Sequence, residues 1–246
     1  FIFDVGHQCY THKILTGRAK DFTTLRKYNG LSGFINKQES VHDQWESGHS
    51  STSLSAQCGF LLANKDKKVI TLIGDSSIAN GISFEAMNYM STIKGQAPII
   101  ILNDNKMSIS KSVGAVSRSF SKLRSSRTYQ AINNFFVRIT PHKLRAVFHR
   151  IKRSIKGLIL KENLFEDWGY DYMGPYDGND ISVCIKTLKA AKNLNKPCVI
   201  HFITKKGKGY KFAEEDKDGT YHSVSSFDLN QGVLNKNEIT FTSIAS

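Results

Sequence analysis

The stretch VITLIGDSSIANG, at residues 69–81, decides the fold together with IIILNDNKMSIS at residues 99–110. Each begins as a short run of branched apolar residues and stops abruptly on an aspartate and small polar residues. Between them, ISFEAMNYMSTI (82–93) has apolar residues at helical spacing. Two buried strands joined through a helix predict parallel neighbours in a sheet that is covered on both faces.

The rest of the chain repeats this alternation of helices and apolar strands. Small polar residues at 50–52 lead into a predicted helix within GHSSTSLSAQCGFLLANK (48–65). Further along, ISVCIKTLKAAKN (181–193) predicts a helix and PCVIHFIT (197–204) predicts another buried strand. We therefore predict an α/β fold, a doubly wound parallel sheet flanked by helices.

Composition limits the class of protein. With 246 residues and 40% hydrophobic content, the chain has enough apolar material for a globular core. No apolar run approaches the roughly 20 residues that a membrane span needs, which argues against a membrane protein. The cysteines show neither paired nor metal-ligand spacing, so we expect buried free thiols and a cytoplasmic or plastid-like location. They are Cys9, Cys58, Cys184 and Cys198.

The positive charge of the chain is concentrated in one segment. The net charge is +13, but residues 118–161 contain twelve Lys or Arg and no Asp or Glu. The remaining 22 basic and 21 acidic residues nearly balance. Apolar residues between 144 and 159 fall on one helical face, a pattern that fits an anionic membrane surface, an acidic partner or docking on its own domain. Of these three roles, we predict docking on its own domain. A nucleic-acid-binding protein is a weaker interpretation, because no known nucleic-acid-binding motif accompanies the charge.

Oxygen-bearing side chains follow both central strands. Asp75 comes directly after VITLIG, and Asn103 and Asn105 lie in the NDN that ends the second strand. Because ligands of such sheets bind at the carboxyl ends of the strands, we expect these side chains at one edge. Carboxylate and amide oxygens suit Mg²⁺, which takes its other ligands from water and phosphates. Asp and Asn also cap helices and turns, but the combined spacing favours a metal–diphosphate site.

Seven sequence blocks, which span nearly the whole chain, point to a known family. They are FDVGHQCYTHKILTGR, NGLSGF, ESGHSSTSLSA, FEAMNYM, ILNDNKMSIS, GPYDGND and TKKGKGY. A GD followed about thirty residues later by an Asn pair is typical of thiamine-diphosphate enzymes in general. In their order, the seven blocks resemble those of 1-deoxy-D-xylulose-5-phosphate synthases, and DVGHQ, GHSSTS and NDNKMSIS together are particular to that family.

The resemblance implies a set of site residues around Mg²⁺ and thiamine diphosphate. The implied metal ligands are the side chains of Asp75 and Asn105 and the backbone carbonyl of Met107. The implied cofactor contacts are His7, Gly48, His49, Ser50, Ser76, Ser77, Asn105 and Tyr210. The residues implied in proton transfer are His7, His49 and His222, since imidazole titrates near neutral pH.

The implied reaction joins pyruvate to glyceraldehyde 3-phosphate with loss of CO₂, in a homodimer. On this interpretation residues 1–236 are the first domain, with its N-terminal part missing. Residues 237–246 are then a linker and the start of a second domain, which carries the glutamate that activates the cofactor. That second domain is expected in the same chain or in a partner subunit. Another thiamine-dependent carboligase, such as a split transketolase, is the main alternative, and a non-catalytic derivative of the fold is a further one.

One residue departs from the family pattern. Ser76 stands in GDS where the family has GDG. Gly at such a place tolerates positive φ and allows close backbone approach. If steric access is what matters, Ser76→Gly is expected to preserve or tighten cofactor binding. If the Ser hydroxyl holds a phosphate, the same change is expected to weaken it.

Overall fold

A computed structural model describes residues 1–105, 164–216, 219–222, 224 and 227–233, and for His7 the backbone alone. Met107, the basic segment at 118–161 and the predicted domain boundary at residue 236 lie outside the described residues. The chain divides into two compact units, Phe1–Thr204 and Lys205–Ser246.

The first unit is built on a sheet of five parallel strands. The strands are β1 (Ile2–Phe3), β2 (Ile70–Gly74), β3 (Ile99–Asp104), β4 (Asp171–Asp177) and β5 (Cys198–Ile203). Their order across the sheet is β1, β2, β3, β5, β4, and every pairing is parallel. Since all strands run the same way, their carboxyl ends meet at one edge.

Helices accompany this sheet and complete the predicted α/β fold. In the first unit they are α1 (Tyr10–Lys13), α2 (Ser53–Ala63), α3 (Asp75–Ile78), α4 (Gly81–Met90), α5 (Leu164–Asp167) and α6 (Ile181–Lys192). No helix in the described parts of the chain is both long and apolar enough to cross a membrane.

The core lies on both faces of the sheet because successive strand residues point to opposite sides. Ile100 and Leu102 of β3 belong to a cluster with apolar residues of α2 and α4. Ile99 and Ile101 of the same strand belong to a second cluster, which α6 covers. The continuous apolar sequence of β3 is therefore explained by burial on two sides.

The predicted elements are confirmed with boundaries shifted by a few residues, but two strands were missed. β1 is only two residues long and gives no periodic signal. β4 contains Gly174 and Pro175, which interrupt the register with β5 and read as a turn. A Cβ at Gly174 would lie 2.5 Å from the carbonyl oxygen of His201, so the strand needs glycine there. Pro is tolerated because β4 is at the edge of the sheet.

A buried charge network stabilises the segment between β1 and α2. Arg18 donates to both carboxylate oxygens of Asp43, at 2.7 and 2.9 Å, and His12 contacts the same carboxylate at 3.0 Å. Lys13 lies fully buried, 2.7 Å from Glu39. Burial alone would raise the pKa of Asp43, but the hydrogen bonds from Arg18 and His12 outweigh it and lower that pKa.

All four cysteines are free thiols, as expected. Cys9 and Cys198 are buried, and burial raises the pKa of their thiols to about 11 and about 12. Cys58 and Cys184 are only half-buried, so the expectation that all four are buried was wrong for these two.

Candidate functional site

Asp75 and Asn105 follow neighbouring strands at the carboxyl edge of the sheet. β2 and β3 are paired so that Gly74 lies opposite Asn103. Asp75 is the first residue of α3, directly after β2, and Asn105 lies one residue beyond the end of β3. The register therefore brings a carboxylate and an amide to adjacent positions, since neighbouring strands are about 4.8 Å apart.

The other two polar residues at the end of β3 have structural partners. Asn103 accepts a hydrogen bond through its side-chain oxygen from the Thr204 hydroxyl at 2.7 Å. Asp104 is fully buried, 3.0 Å from Nε2 of His201, whose Nδ1 lies 2.6 Å from the hydroxyl of Tyr172. The side-chain oxygen of Asn103 and the carboxylate of Asp104 are therefore engaged within the sheet, whereas Asn105 lies one residue beyond the end of β3.

The donor set at this edge suits a metal that also binds phosphate. Among the described residues, no group of three or more His, Cys, Asp or Glu side chains converges as a metal site. Asp75 and Asn105 together supply one carboxylate and one amide. Mg²⁺ commonly binds to such a small set of protein ligands and takes the remainder from phosphates and water.

Ser76 occupies its place without backbone strain. The residues with positive φ that are not glycine are, among those described, Val5, Arg26, Asn29 and Ser51, and Ser76 lies instead within α3. Its Oγ is buried and has no hydrogen-bond partner among the described residues. A buried hydroxyl without a partner is costly, which favours an anionic group beside it.

The loop Gly48–His49–Ser50 is exposed and lies just before α2. The hydroxyl of Ser47 accepts from the backbone N–H of His49 at 3.2 Å and lies 3.0 Å from its carbonyl oxygen. Thr52 donates to the same carbonyl at 3.3 Å. The imidazole of His49 is thus presented to solvent on a loop whose backbone is held locally.

His7 stands on the backbone turn that follows β1. Val5 and Gly6 both have positive φ, at 60° and 95°, and His7 begins a short 3-10 helix directly after them. The parallel pairing of β1 with β2 places this turn at the same edge of the sheet as Asp75. Sequence reasoning predicted His7 but missed Asp4, a buried carboxylate that accepts hydrogen bonds from Ser51 and Ser53.

The second unit contains the two remaining predicted site residues, Tyr210 and His222. The Tyr210 hydroxyl donates to the carbonyl of Leu229 at 3.0 Å. Nζ of Lys206 lies 2.8 Å from Nδ1 of His222. An ammonium group has only donors, so Nδ1 accepts and the proton of the neutral ring lies on Nε2.

The surroundings of His222 disfavour its protonated form. Partial desolvation lowers the pKa of the imidazole, and the positive charge of Lys206 lowers it further. Burial also lowers the pKa of Lys206, while the carboxylate of Asp216 opposes that effect. At neutral pH, His222 is therefore a neutral ring with an Nε2–H donor.

The sequence matches a known family over most of its length. Residues 1–204 match the family model described as 1-deoxy-D-xylulose-5-phosphate synthase. The synthase of Bacillus cytotoxicus is 46% identical over 242 residues, which cover 94% of this chain and 38% of that protein. The synthase of Listeria welshimeri is 43% identical over 256 residues, which cover 100% of this chain and 40% of that protein. The chain thus spans about two fifths of the length of these relatives.

Solved structures with the same fold include transketolases. A transketolase mutant from Pichia stipitis superposes with a TM-score of 0.59 at 17% identity, covering 85% of this chain and 29% of that one. Transketolase from Leishmania mexicana gives a TM-score of 0.55 at 16% identity, covering 82% of this chain and 28% of that one. At these identities the likeness concerns the fold alone.

Removing the charge of Lys206 is expected to raise the pKa of His222. In Lys206→Gln the positive charge beside Nδ1 is lost, so the pKa should move up towards the ordinary value of about 6.5. A larger fraction of His222 is then protonated at any pH near that value. An NMR titration of the imidazole nitrogens measures this directly.

Lys205→Gln is the matched control for that titration. Lys205 pairs with Glu214, whereas the contact to Nδ1 of His222 comes from Lys206. The pKa of His222 should therefore stay at its wild-type value in Lys205→Gln. Equal pKa values for His222 in the wild type and in Lys206→Gln would contradict the claim that the charge of Lys206 lowers the pKa of His222.

Proposed function

The chain belongs to the 1-deoxy-D-xylulose-5-phosphate synthase family, and we propose that it is the part of such an enzyme that binds Mg²⁺ and the diphosphate of thiamine diphosphate. The observation that carries this proposal is the placement of Asp75 and Asn105 at the ends of two paired strands, beside the buried hydroxyl of Ser76. The reaction proposed for the whole enzyme is the condensation of pyruvate with glyceraldehyde 3-phosphate to 1-deoxy-D-xylulose 5-phosphate and CO₂.

The residues at the carboxyl edge fit this metal and cofactor. One carboxylate and one amide oxygen leave most of the coordination shell of Mg²⁺ to phosphate oxygens and water. Met107, through its backbone carbonyl, is the third protein ligand in this proposal. The Oγ of Ser76, which has no hydrogen-bond partner within the described parts of the chain, is a donor that a diphosphate oxygen would satisfy.

The cofactor would supply the chemistry that side chains lack. When bound, thiamine diphosphate provides the carbanion that attacks the keto carbon of pyruvate and an electron sink for the loss of CO₂. The carboxylate of Asp75 and the amide of Asn105 would hold the metal. Ser76 and Ser77 would bring backbone N–H groups and a hydroxyl to the diphosphate, and Gly48, Ser50 and Tyr210 would complete the contacts.

Three histidines would handle protons and hydrogen bonds around the reacting carbons. His49 is exposed on its loop and can reach a ligand at the carboxyl edge. His222 is neutral with the proton on Nε2, so it can donate a hydrogen bond to a carbonyl or alkoxide oxygen. His7 is proposed to act beside them, from the turn after β1.

The remaining parts of the active enzyme are proposed to lie beyond this chain's two units. The synthase relatives are about two and a half times as long, which leaves room for further domains. We assign to a second domain, in the same chain or a partner subunit, the glutamate that activates the cofactor. A cytoplasmic homodimer is the assembly that the proposal expects.

Asp75→Ala is expected to raise the Kd for thiamine diphosphate in the presence of Mg²⁺ by ~100-fold or more. The substitution removes the one carboxylate among the proposed ligands and leaves the metal–diphosphate charge poorly compensated. Asn105→Ala should raise the same Kd by about tenfold, because it removes a neutral ligand. Isothermal titration calorimetry measures both.

Asp177→Ala is the control for these two variants. Asp177 also ends a strand of the same sheet, but at the edge strand β4, where its carboxylate accepts from the backbone N–H of Asn179 at 2.8 Å. The Kd of Asp177→Ala for thiamine diphosphate in the presence of Mg²⁺ should match that of the wild type. An unchanged Kd in Asp75→Ala would remove the proposed metal site.

Ser76→Ala is expected to weaken the same binding by about fivefold to tenfold, because it removes a charge-assisted hydrogen bond worth about 1–1.4 kcal/mol. Ser76→Gly should weaken it similarly, since the residue is already in an unstrained helical conformation. Of the two expectations stated from the sequence, the buried hydroxyl favours the second. Ser55→Ala, at an exposed position of α2, is the control. Binding that tightens in Ser76→Gly would show that steric access matters more than the hydroxyl.

A further inference from the structure

Ser51 is held in an unfavourable backbone conformation within the GHSSTS loop. Its φ is 75°, in the left-handed region that residues other than glycine rarely adopt. The residue is 1% exposed, so water cannot satisfy its polar groups. Such a conformation persists only where surrounding contacts enforce it, and it is typical of functional sites.

All three polar groups of Ser51 have a protein partner. Its N–H donates to Oδ1 of Asp4 at 3.0 Å, and its Oγ accepts from Nδ2 of Asn80 at 2.5 Å. Its carbonyl lies 3.2 Å from the hydroxyl of Ser83. The three partners come from the end of β1, from the start of α4 and from within α4.

Asp4 joins the first two loops of the carboxyl edge. It follows β1 and is 2% exposed. Besides the N–H of Ser51, its carboxylate accepts from the hydroxyl of Ser53 at 2.7 Å. Its carbonyl accepts from the N–H of Gly6 at 2.6 Å, which fixes the turn that leads to His7. Asp4 therefore binds the loop of His49 through its carboxylate and the turn before His7 through its backbone carbonyl.

Ser83 extends the network to the third loop. Its hydroxyl lies 2.8 Å from the carbonyl of Ser77, besides its contact with the carbonyl of Ser51. One hydroxyl proton is thus shared between two loops, and both acceptors are backbone atoms. Asn80 precedes α4, yet its side chain makes no cap hydrogen bond there and reaches Ser51 instead.

We propose that Asp4, Ser51 and Ser83 are positioning residues that couple three loops, so that order in any one loop depends on the other two. The coupled loops carry His7, His49 and the Asp75–Ser77 turn. The coupling would assemble the cofactor contacts before ligand arrives, which reduces the ordering cost of binding. Only this last point rests on the proposed function.

The test is hydrogen–deuterium exchange of the ligand-free 246-residue chain, followed by mass spectrometry. The variants are Asp4→Asn, which keeps the size but loses one acceptor and the charge, and Ser83→Ala, which removes the hydroxyl that contacts the carbonyls of Ser51 and Ser77. In each variant, exchange in peptides covering 48–52 and 74–80 should both rise by fivefold or more. If Asp4→Asn does not fold, Ser83→Ala alone decides.

Gln57→Leu is the control for nonspecific destabilisation. Gln57 is fully buried on α2 and donates to the carbonyls of Val69 and Ile99. These carbonyls lie where β2 and β3 begin, away from the carboxyl ends of the strands. This variant should lower the melting temperature without raising exchange in either loop. If the network had a merely structural role, Gln57→Leu and Ser83→Ala would change the exchange of the two loops to the same extent.

The outcomes separate this proposal from the proposed function. Faster exchange in one loop only, or in both loops of Gln57→Leu equally, would overturn the coupling. Calorimetry with thiamine diphosphate and Mg²⁺ then adds a second readout, in which Asp4→Asn and Ser83→Ala should raise the Kd by fivefold or more. A wild-type chain that binds no cofactor while the loops exchange as expected would contradict the proposed function and leave the coupling established.

Discussion

The parallel register of β2 and β3 is the constraint on which the site depends. Because Gly74 lies opposite Asn103, Asp75 and Asn105 both follow the ends of neighbouring strands at the carboxyl edge. A shift of one residue would turn the side chains of β3 to the opposite faces and disrupt the packing of both core clusters. The two core clusters that share β3 enforce the register, so the same burial that stabilises the fold also positions the candidate ligands.

Two carboxylates, those of Asp4 and Asp104, are buried at the carboxyl edge. Asp4 is satisfied by donors from the GHSSTS loop, and Asp104 by the hydrogen-bonded pair of His201 and Tyr172. A buried carboxylate without hydrogen-bond donors would lower the stability of the fold by about 3 kcal/mol. These groups fix backbone positions beside the proposed ligands, which keeps the side chains that face a ligand few and well ordered.

The central βαβ pattern could be predicted because long apolar strands and amphipathic helices carry local signals. β3 and α6 were recognised within one residue at each end from periodicity and length. β1 and β4 could not be recognised in this way, because β1 is two residues long and β4 is interrupted by Gly174 and Pro175.

Part of the candidate site could likewise be predicted from the sequence, and part could not. Asp75 and Asn105 were found because strand ends are marked in the sequence, and His7, His49 and His222 only through family resemblance. The partnership of Asp4 with Ser51 joins residues 47 positions apart, and no local pattern signals it. The contact of the Asn103 side-chain oxygen with Thr204, at the end of β5, also required the structure, because the two residues are far apart in the sequence.

The most direct measurement of the proposed function is a crystal structure of the protein grown with thiamine diphosphate and Mn²⁺ in place of Mg²⁺. Anomalous scattering locates the manganese ion without reference to any assumed site. The proposal predicts one strong peak within coordinating distance, about 2.2 Å, of the Asp75 carboxylate and the Asn105 side-chain oxygen, with the diphosphate on its far side. A bound cofactor whose metal lies away from both residues would contradict it.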